Sequence, residues 1–258
     1  MKFSHKVVGP DFDKADIVSF NFGDAEVSLV VPTDPDADLT LGFIAHHDQT
    51  VLPDEPGIHW YHHPFGFRVF DLVRKGWSYY DEDTALCVAA SNFVLNLIEV
   101  SDAKRALMNP LRKHDIAVWL NTLFGMIAVD GEEDLQGTES ESCARELFCM
   151  PRSEEDFEWF NSEVMDWPML TIRIPQGDND EDRYGPDYFI YIPLNDRLIL
   201  HIDSSISIIS REGSKIALSK AEIIQLKRDI LMEILSCIRV TYSPEILSMI
   251  EELNKLDG

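Results

Sequence analysis

The sequence predicts an α+β fold in which antiparallel sheet packs against amphipathic helices, in the order strand, helix, strand, helix. Apolar residues alternate in the first 80 residues and again from 169 onward, while helix-type apolar spacing separates and follows these blocks. The regular βαβ alternation of a doubly wound sheet is absent. We predict one domain over 1–258, and the repeated order suggests two similar halves, 1–129 and 130–258.

The first 80 residues are predicted to be mostly sheet. From Ile17, apolar residues alternate on both sides of Gly23-Asp24, a pair typical of a hairpin turn, and Pro32 ends the pattern. Phe65, Phe67 and Val69 alternate in FGFRVFDLV and predict a further strand.

Two helices are predicted to follow. The segment DEDTALCVAASNFVLNLIEV (81–100) opens with acids and a capping residue at Asp83 or Thr84, and its apolar residues suggest one helical face. Asn109-Pro110 predicts the start of a second helix that runs through IAVWLNTLFGMIA.

The second half changes from acidic loop to sheet to helix. We predict a surface loop followed by short helices over 130–166, strands at 169–175 and 188–209, and a hairpin turn at Asn195-Asp196. Ser219 and Glu222 form a capping box before one amphipathic helix. Ser243-Pro244 begins a last helix.

Composition limits the environment and the partners. Apolar residues make up 45% of the chain, which is enough for a core. The formal net charge of −24 and pI near 4.5 argue against nucleic acid or an anionic membrane as partner. The first residues lack a signal-type apolar run and no stretch reaches membrane-helix length, so we predict a cytoplasmic protein. The four cysteines form no C-x-x-C pair and are interpreted as buried or idle thiols.

Signatures of enzymes and cofactors are missing, so we predict a non-enzymatic protein without a cofactor. No P-loop, dinucleotide-binding glycine pattern or nucleophile elbow occurs. Asp178, Asp180 and Asp182 imitate the start of an EF-hand loop, but Arg183 and Phe189 stand where Gly and Glu are needed.

The alternative prediction is a metal-dependent hydrolase or oxygenase that uses the histidines between His46 and His63. Imidazoles with a nearby carboxylate suit zinc or non-haem iron. The spacing matches no zinc signature, and adjacent histidines on a strand point to opposite faces. The competing interpretation is a set of half-exposed side chains. The ligand set would be drawn from His46, His47, Asp48, His62 and His63, with His59 nearby.

Negative charge is concentrated in the middle of the chain. Residues 1–129 carry 10 basic and 18 acidic residues, 130–187 carry 4 and 18, and 188–258 carry 8 and 10, so the middle 58 residues hold a net −14. A solvated face kept for solubility is the simplest interpretation. The alternative is a surface where acids steer a basic partner and aromatic residues anchor it. The predicted partner-binding residues are Glu132, Glu133, Asp134, Glu154, Glu155, Asp156, Glu158 and Trp159.

In composition, the chain resembles the immunity proteins that neutralise bacterial toxins, many of which present acids to a basic active site. The resemblance implies an inhibitory protein whose partner is a basic protein. We therefore expect a binding or inhibitory function, with the metal-dependent enzyme as the alternative and a structural or chaperone-like module as a third interpretation.

Overall fold

The computed structural model describes residues 7–33, 43–44, 60–63, 67–83, 85–134, 157–172, 187–208 and 220–257. These residues form two antiparallel sheets and four helices. The strands are β1 (Val7–Val8), β2 (Asp11–Asn21), β3 (Ala25–Thr33), β4 (Phe43–Ile44), β5 (Tyr61–His63), β6 (Phe67–Asp81), β7 (Cys87–Val100), β8 (Glu158–Asn161), β9 (Asp166–Ile172), β10 (Asp187–Pro193), β11 (Leu198–Ile208) and β12 (Ile238–Tyr242). The helices are α1 (Asp102–Arg105), α2 (Lys113–Asp134), α3 (Lys220–Ser236) and α4 (Pro244–Asp257).

The predicted α+β class is wrong, because the fold is mostly antiparallel β-sheet. Nine strands form one sheet along the order β1-β6-β7-β11-β10-β9-β8, with β4 and β5 also paired to β6. The second sheet has the order β12-β3-β2. Strands from before and after residue 130 are neighbours in both sheets, so the strand blocks do not form separate sheets.

The helix predicted over 81–100 is instead the central strand β7. This strand pairs with β6 on one side and with β11 on the other, and its side chains are mostly buried on both faces. A strand buried on both faces is a nearly continuous apolar run, which cannot be told from a buried helix by periodicity alone. Its flanking hairpin turn contains Ala85 at a φ of 54°.

The short helices predicted within 130–166 are wrong where the structure describes that region. Asp130 to Asp134 continue α2, and Glu158–Asn161 form β8, which pairs with β9. Residues 135–156 lie outside the described part. Trp159 and Phe160 favour a strand through their β propensity, and pairing with β9 places Phe160 opposite Trp167.

Both faces of the large sheet carry buried apolar residues. On one face, strands β6, β7, β10 and β11 pack with the small sheet, α3 and α4 in a core that includes Phe20, Leu95 and Ile230. On the other face, α2 contributes Ile116 and Leu120 to a second core. This layered burial explains why β7 is apolar on both sides.

Several locally encoded elements are confirmed. The Gly23-Asp24 hairpin joins β2 to β3, and the Asn195-Asp196 turn joins β10 to β11. The second predicted helix exists as α2 but begins at Lys113. Helix α4 begins at Pro244, and the Ser243 hydroxyl accepts a hydrogen bond from the Ile246 amide at 3.3 Å. Within the described ranges, no helix is long and apolar enough to cross a membrane.

Gly23→Ala should lower the free energy of unfolding by about 1 kcal/mol, because Gly23 has a φ of 84° that alanine adopts poorly. Denaturant unfolding followed by tryptophan fluorescence measures the loss. Gly23→Asn should lose less, since Asn tolerates positive φ better than Ala. An equal loss for both variants would contradict this conformational explanation.

Candidate functional site

The predicted partner-binding residues Glu158 and Trp159 lie on β8, at one edge of the large sheet. Within the described residues, β8 pairs with β9 alone. Edge strands present backbone N–H and C=O groups that another chain can pair with. The two residues therefore stand at a position suited to contact a partner.

Both side chains also have partners within the chain. The exposed carboxylate of Glu158 accepts hydrogen bonds from both terminal nitrogens of Arg228 on α3, one of them at 3.0 Å. The Nζ of Lys113 lies 4.3 Å from the ring centroid of Trp159, and the Phe157 ring is 6.2 Å away. Trp159 is half-buried against the second core, so it has a structural role in addition to any role in binding.

The other predicted site residues are described in part or not at all. The last part of α2 contains Glu132, Glu133 and Asp134. The structure describes the backbone of these three residues but not their side chains. Glu154, Glu155 and Asp156 fall outside the described residues, but they directly precede Phe157 and β8 in the chain. The structure therefore brings together only Glu158 and Trp159 from the predicted set.

Of the histidines between His46 and His63, the structure describes His62 and His63, which lie on β5. His62 is exposed on this strand, and the side chain of His63 is not described. His46, His47, Asp48 and His59 lie outside the described residues, as do Asp178, Asp180 and Asp182. Among the side chains that are described, no group of three or more His, Cys, Asp or Glu residues could hold a metal ion.

The structure describes two of the four cysteines. Cys87 and Cys237 are half-buried and unbridged, while Cys143 and Cys149 lie outside the description. Burial raises the pKa of the Cys237 thiol, which lowers the fraction of reactive thiolate.

A buried carboxylate between two arginines forms a site that the sequence did not predict. Glu99, near the end of β7, has a side chain that is only 7% exposed. Arg68 is its direct neighbour on β6 and donates from Nε to one carboxylate oxygen. Arg197, just before β11, contacts the other oxygen. We call these three residues the Arg68–Glu99–Arg197 triad.

The triad lines an open cavity of about 380 Å³ at the end of the sheet. Arg68 is also held from another side, since its guanidinium carbon lies 4.6 Å from the ring centroid of Trp60. Such stacking and ion pairing fix the orientation of a guanidinium. The remaining lining residues are His62, Phe67, Val100, Ser101 and Asp102.

The rim of the cavity carries a second ion-pair network. Arg105 on α1 contacts Asp102 at 3.1 Å and Asp196 of the β10–β11 turn at 2.5 Å. These two carboxylates raise the pKa of Arg105 against the opposing effect of its burial. The network ties α1 to the turn that carries Arg197, so the wall of the cavity is anchored.

A row of polar residues crosses the central strands on the face of the large sheet opposite to the side chain of Glu99. Strand register places Asp71, Asn96, His201 and Tyr191 side by side on β6, β7, β11 and β10. The His201 ring stacks on the Tyr191 ring, with the ring centroids 4.8 Å apart. It also makes a T-shaped contact with the Phe189 ring at a centroid distance of 5.0 Å. In the part of the chain described, the buried His201 Nε2 and Asn96 Oδ1 have no hydrogen-bond partner.

Burial governs the protonation of His201 and Tyr191. It lowers the pKa of His201 from 6.5 to about 4, so the imidazole is neutral near pH 7. Burial also raises the pKa of Tyr191, and the nearby charge of Asp203 raises it further. His201 and Tyr191 are therefore neutral near pH 7, which suits packing and makes them poorly suited to proton transfer at that pH.

Comparison with known proteins gives no match: no family model fits the chain, and no curated protein or solved structure is significantly similar to it.

Proposed function

We propose that the protein is a non-enzymatic cytoplasmic binding protein that sequesters or inhibits a basic protein, acting as the immunity member of a toxin pair. The observation that carries the proposal is the concentration of negative charge next to an edge strand. Residues 130–187 hold a net −14, and Glu154 to Asp156 directly precede β8. A basic partner would be steered by these acids and could then contact the edge.

The ion pairs of the basic side chains support the proposed binding function. At least seven of the 22 Lys and Arg residues are already ion-paired within the chain, so they do not screen the excess acids elsewhere. Exposed single charges add little stability, so an excess this large favours a role in solubility or in recognition. The paired residues are Arg68, Arg74, Arg105, Arg112, Lys113, Arg197 and Arg228.

Reversing the charge at Glu154, Glu155 and Asp156 to Lys should weaken binding of the partner by at least about tenfold, because three steering and contact charges become repulsive. The partner to use is the product of each gene adjacent to this one, purified and titrated calorimetrically at low and physiological salt. Wild-type affinity should fall as salt rises, because exposed charges are screened.

The matched control reverses three exposed acids on α4, Glu245, Glu251 and Glu252, to Lys. Both variants change the net charge from −24 to −18, so they differ only in where the charge lies. The control should bind within about twofold of wild type, since its three acids lie outside the acidic segment 130–187. Equal affinity of both variants for the partner would reject the region 154–156 as the contact. Growth of a host that expresses the adjacent gene product, with and without this protein, tests inhibition directly.

A further inference from the structure

We propose that the protein pairs with a second copy of itself along the outer edge of β2, so that the two small sheets join into one antiparallel sheet across a two-fold axis. The outer edge of β2 is the side of residues 16–21 that faces away from β3. It belongs to the small sheet, whereas β8 belongs to the large sheet, so the proposal is independent of the proposed function.

The hairpin between β2 and β3 fixes which backbone groups of β2 point away from β3. The Phe22 N–H donates to the Ala25 carbonyl at 2.8 Å, so these two residues beside the Gly23-Asp24 turn form a hydrogen-bonded pair. Hydrogen-bonded and non-hydrogen-bonded pairs alternate along an antiparallel ladder. Every second residue back from Phe22 therefore bonds to β3. The residues between them, whose N–H and C=O groups face outward, are Ile17, Ser19 and Asn21.

A hydrogen bond on the other side of β3 supports the same assignment. Val30, which lies opposite Ile17, donates its N–H to the Cys237 carbonyl at 3.3 Å, on the side of β3 that faces β12. The Val30 amide is therefore turned away from β2. The backbone groups of Ile17 are accordingly free of the β2–β3 ladder.

The outer edge of β2 lacks the features that usually protect an edge strand. Ile17 is 70% exposed, and Val30 beside it is only half-buried. Residues 16–21 contain no proline, lysine or register shift, since Lys14 and the shift after Asp11 precede them. Within the described residues, β2 pairs with β3 alone. An exposed edge of this kind is suited to pairing with another strand.

The second copy is the occupant because the edge is self-complementary. A two-fold antiparallel pairing centred on Ile17 sets the two Ile17 side chains directly opposite each other, and each is flanked by Val30 of its own chain. The same register sets Asp16 of each copy opposite Val18 of the other, so these acids do not face each other. A basic partner would find only one acid within 16–21.

The net charge of the chain makes this pairing sensitive to salt. Each copy carries −24, so two copies repel each other at low ionic strength. At physiological ionic strength the Debye length is about 8 Å, and more salt shortens it. Affinity between two copies should therefore rise with salt, whereas affinity for a basic partner should fall.

The test is sedimentation equilibrium of the full chain at about 5–500 μM protein, in about 0.15 M and about 0.5 M NaCl. A plateau at the mass of a dimer is expected, with a dissociation constant at least about threefold lower at the higher salt. A monomer throughout at both salts, or association that grows beyond a dimer, would overturn the proposal. So would a dimer that weakens as salt rises.

Ile17→Lys should weaken the dimer by at least about tenfold, because two ammonium groups replace the apolar pair at the two-fold axis. The matched control is Leu107→Lys, which changes another exposed apolar residue, 81% exposed after α1, and alters the charge equally. It should dimerise like wild type. Equal losses in both variants, or no loss for Ile17→Lys, would contradict pairing through β2.

Amide hydrogen exchange of the wild-type chain locates the contact without a variant. Two-dimensional NMR compares exchange rates at about 30 μM and about 500 μM protein. The outward amides of Ile17 and Ser19 should exchange several-fold more slowly at the higher concentration, because they become hydrogen-bonded to the second copy. The amides of Val18 and Phe20 already bond to β3 and should be slow at both. Concentration-independent exchange at Ile17 and Ser19 in a solution that contains the dimer would overturn the proposal.

Discussion

Replacing Arg68 and Arg197 together with methionine should lower the free energy of unfolding by about 3–5 kcal/mol. The Glu99 carboxylate is nearly inaccessible to solvent, and these two arginines contact its two oxygens. Methionine keeps most of the aliphatic volume but removes both positive charges. The variant therefore has a buried carboxylate without its compensating charges, which is among the most destabilising arrangements in a protein interior.

The decisive control is the triple variant that also carries Glu99→Leu. It loses every arginine contact that the double variant loses, but it leaves no buried charge behind. Buried ion pairs can often be replaced by packed apolar residues at little cost, so the triple variant should recover most of the lost stability. Guanidinium unfolding at pH 7, followed by fluorescence and circular dichroism together, compares them. Equal stability of the double and triple variants would show that the Glu99 charge is not costly.

Elements whose ends have strong local chemistry could be predicted from the sequence. The turns at Gly23-Asp24 and Asn195-Asp196 lie between alternating apolar runs, and Ser243-Pro244 begins α4. In each case the residues that decide the conformation are neighbours in the chain. Strand pairing is decided by distant residues, and this is where the prediction of the fold class failed.

Strand β7 shows the reason most clearly. Its partners β6 and β11 cover both of its edges, and the two cores cover both of its faces. Leu95 and Leu97 face one core while Ile98 and Val100 face the other, so no polar alternation remains to mark a strand. Acids and a potential capping residue before position 87 favoured a helix locally, and the long-range pairing overrode that preference.

The cavity site could not be assembled from the sequence, although one signal was present. Arg68, Glu99 and Arg197 are far apart in the chain, and each alone resembles an ordinary surface charge. The strand register brings the three residues together. It pairs Glu99 with Arg68 on β6 and with Leu198, the residue after Arg197, on β11. The signal was Glu99 itself, a charge within the apolar run LNLIEV, because a buried acid requires a partner.

His201 should make the protein less stable as the pH falls from about 6.5 to about 4, by about 2–3 kcal/mol in total. Burial lowers the pKa of the folded-state imidazole from 6.5 to about 4. Below pH 6.5 the unfolded chain takes up a proton that the folded chain does not, so protonation favours unfolding. The loss levels off once the pH falls below about 4, where the folded imidazole is protonated as well.

His201→Phe isolates this contribution from the titration of the many carboxylates. Phenylalanine keeps an aromatic ring between Tyr191 and Phe189 and removes Nε2, which lacks a partner within the described residues. The unfolding free energies of wild type and variant are measured between pH 7.5 and pH 4. The difference, wild type minus variant, should become less favourable to wild type as the pH falls. A difference that stays constant with pH would mean that His201 is solvated enough to be protonated in the folded state, and that the polar row is open to water.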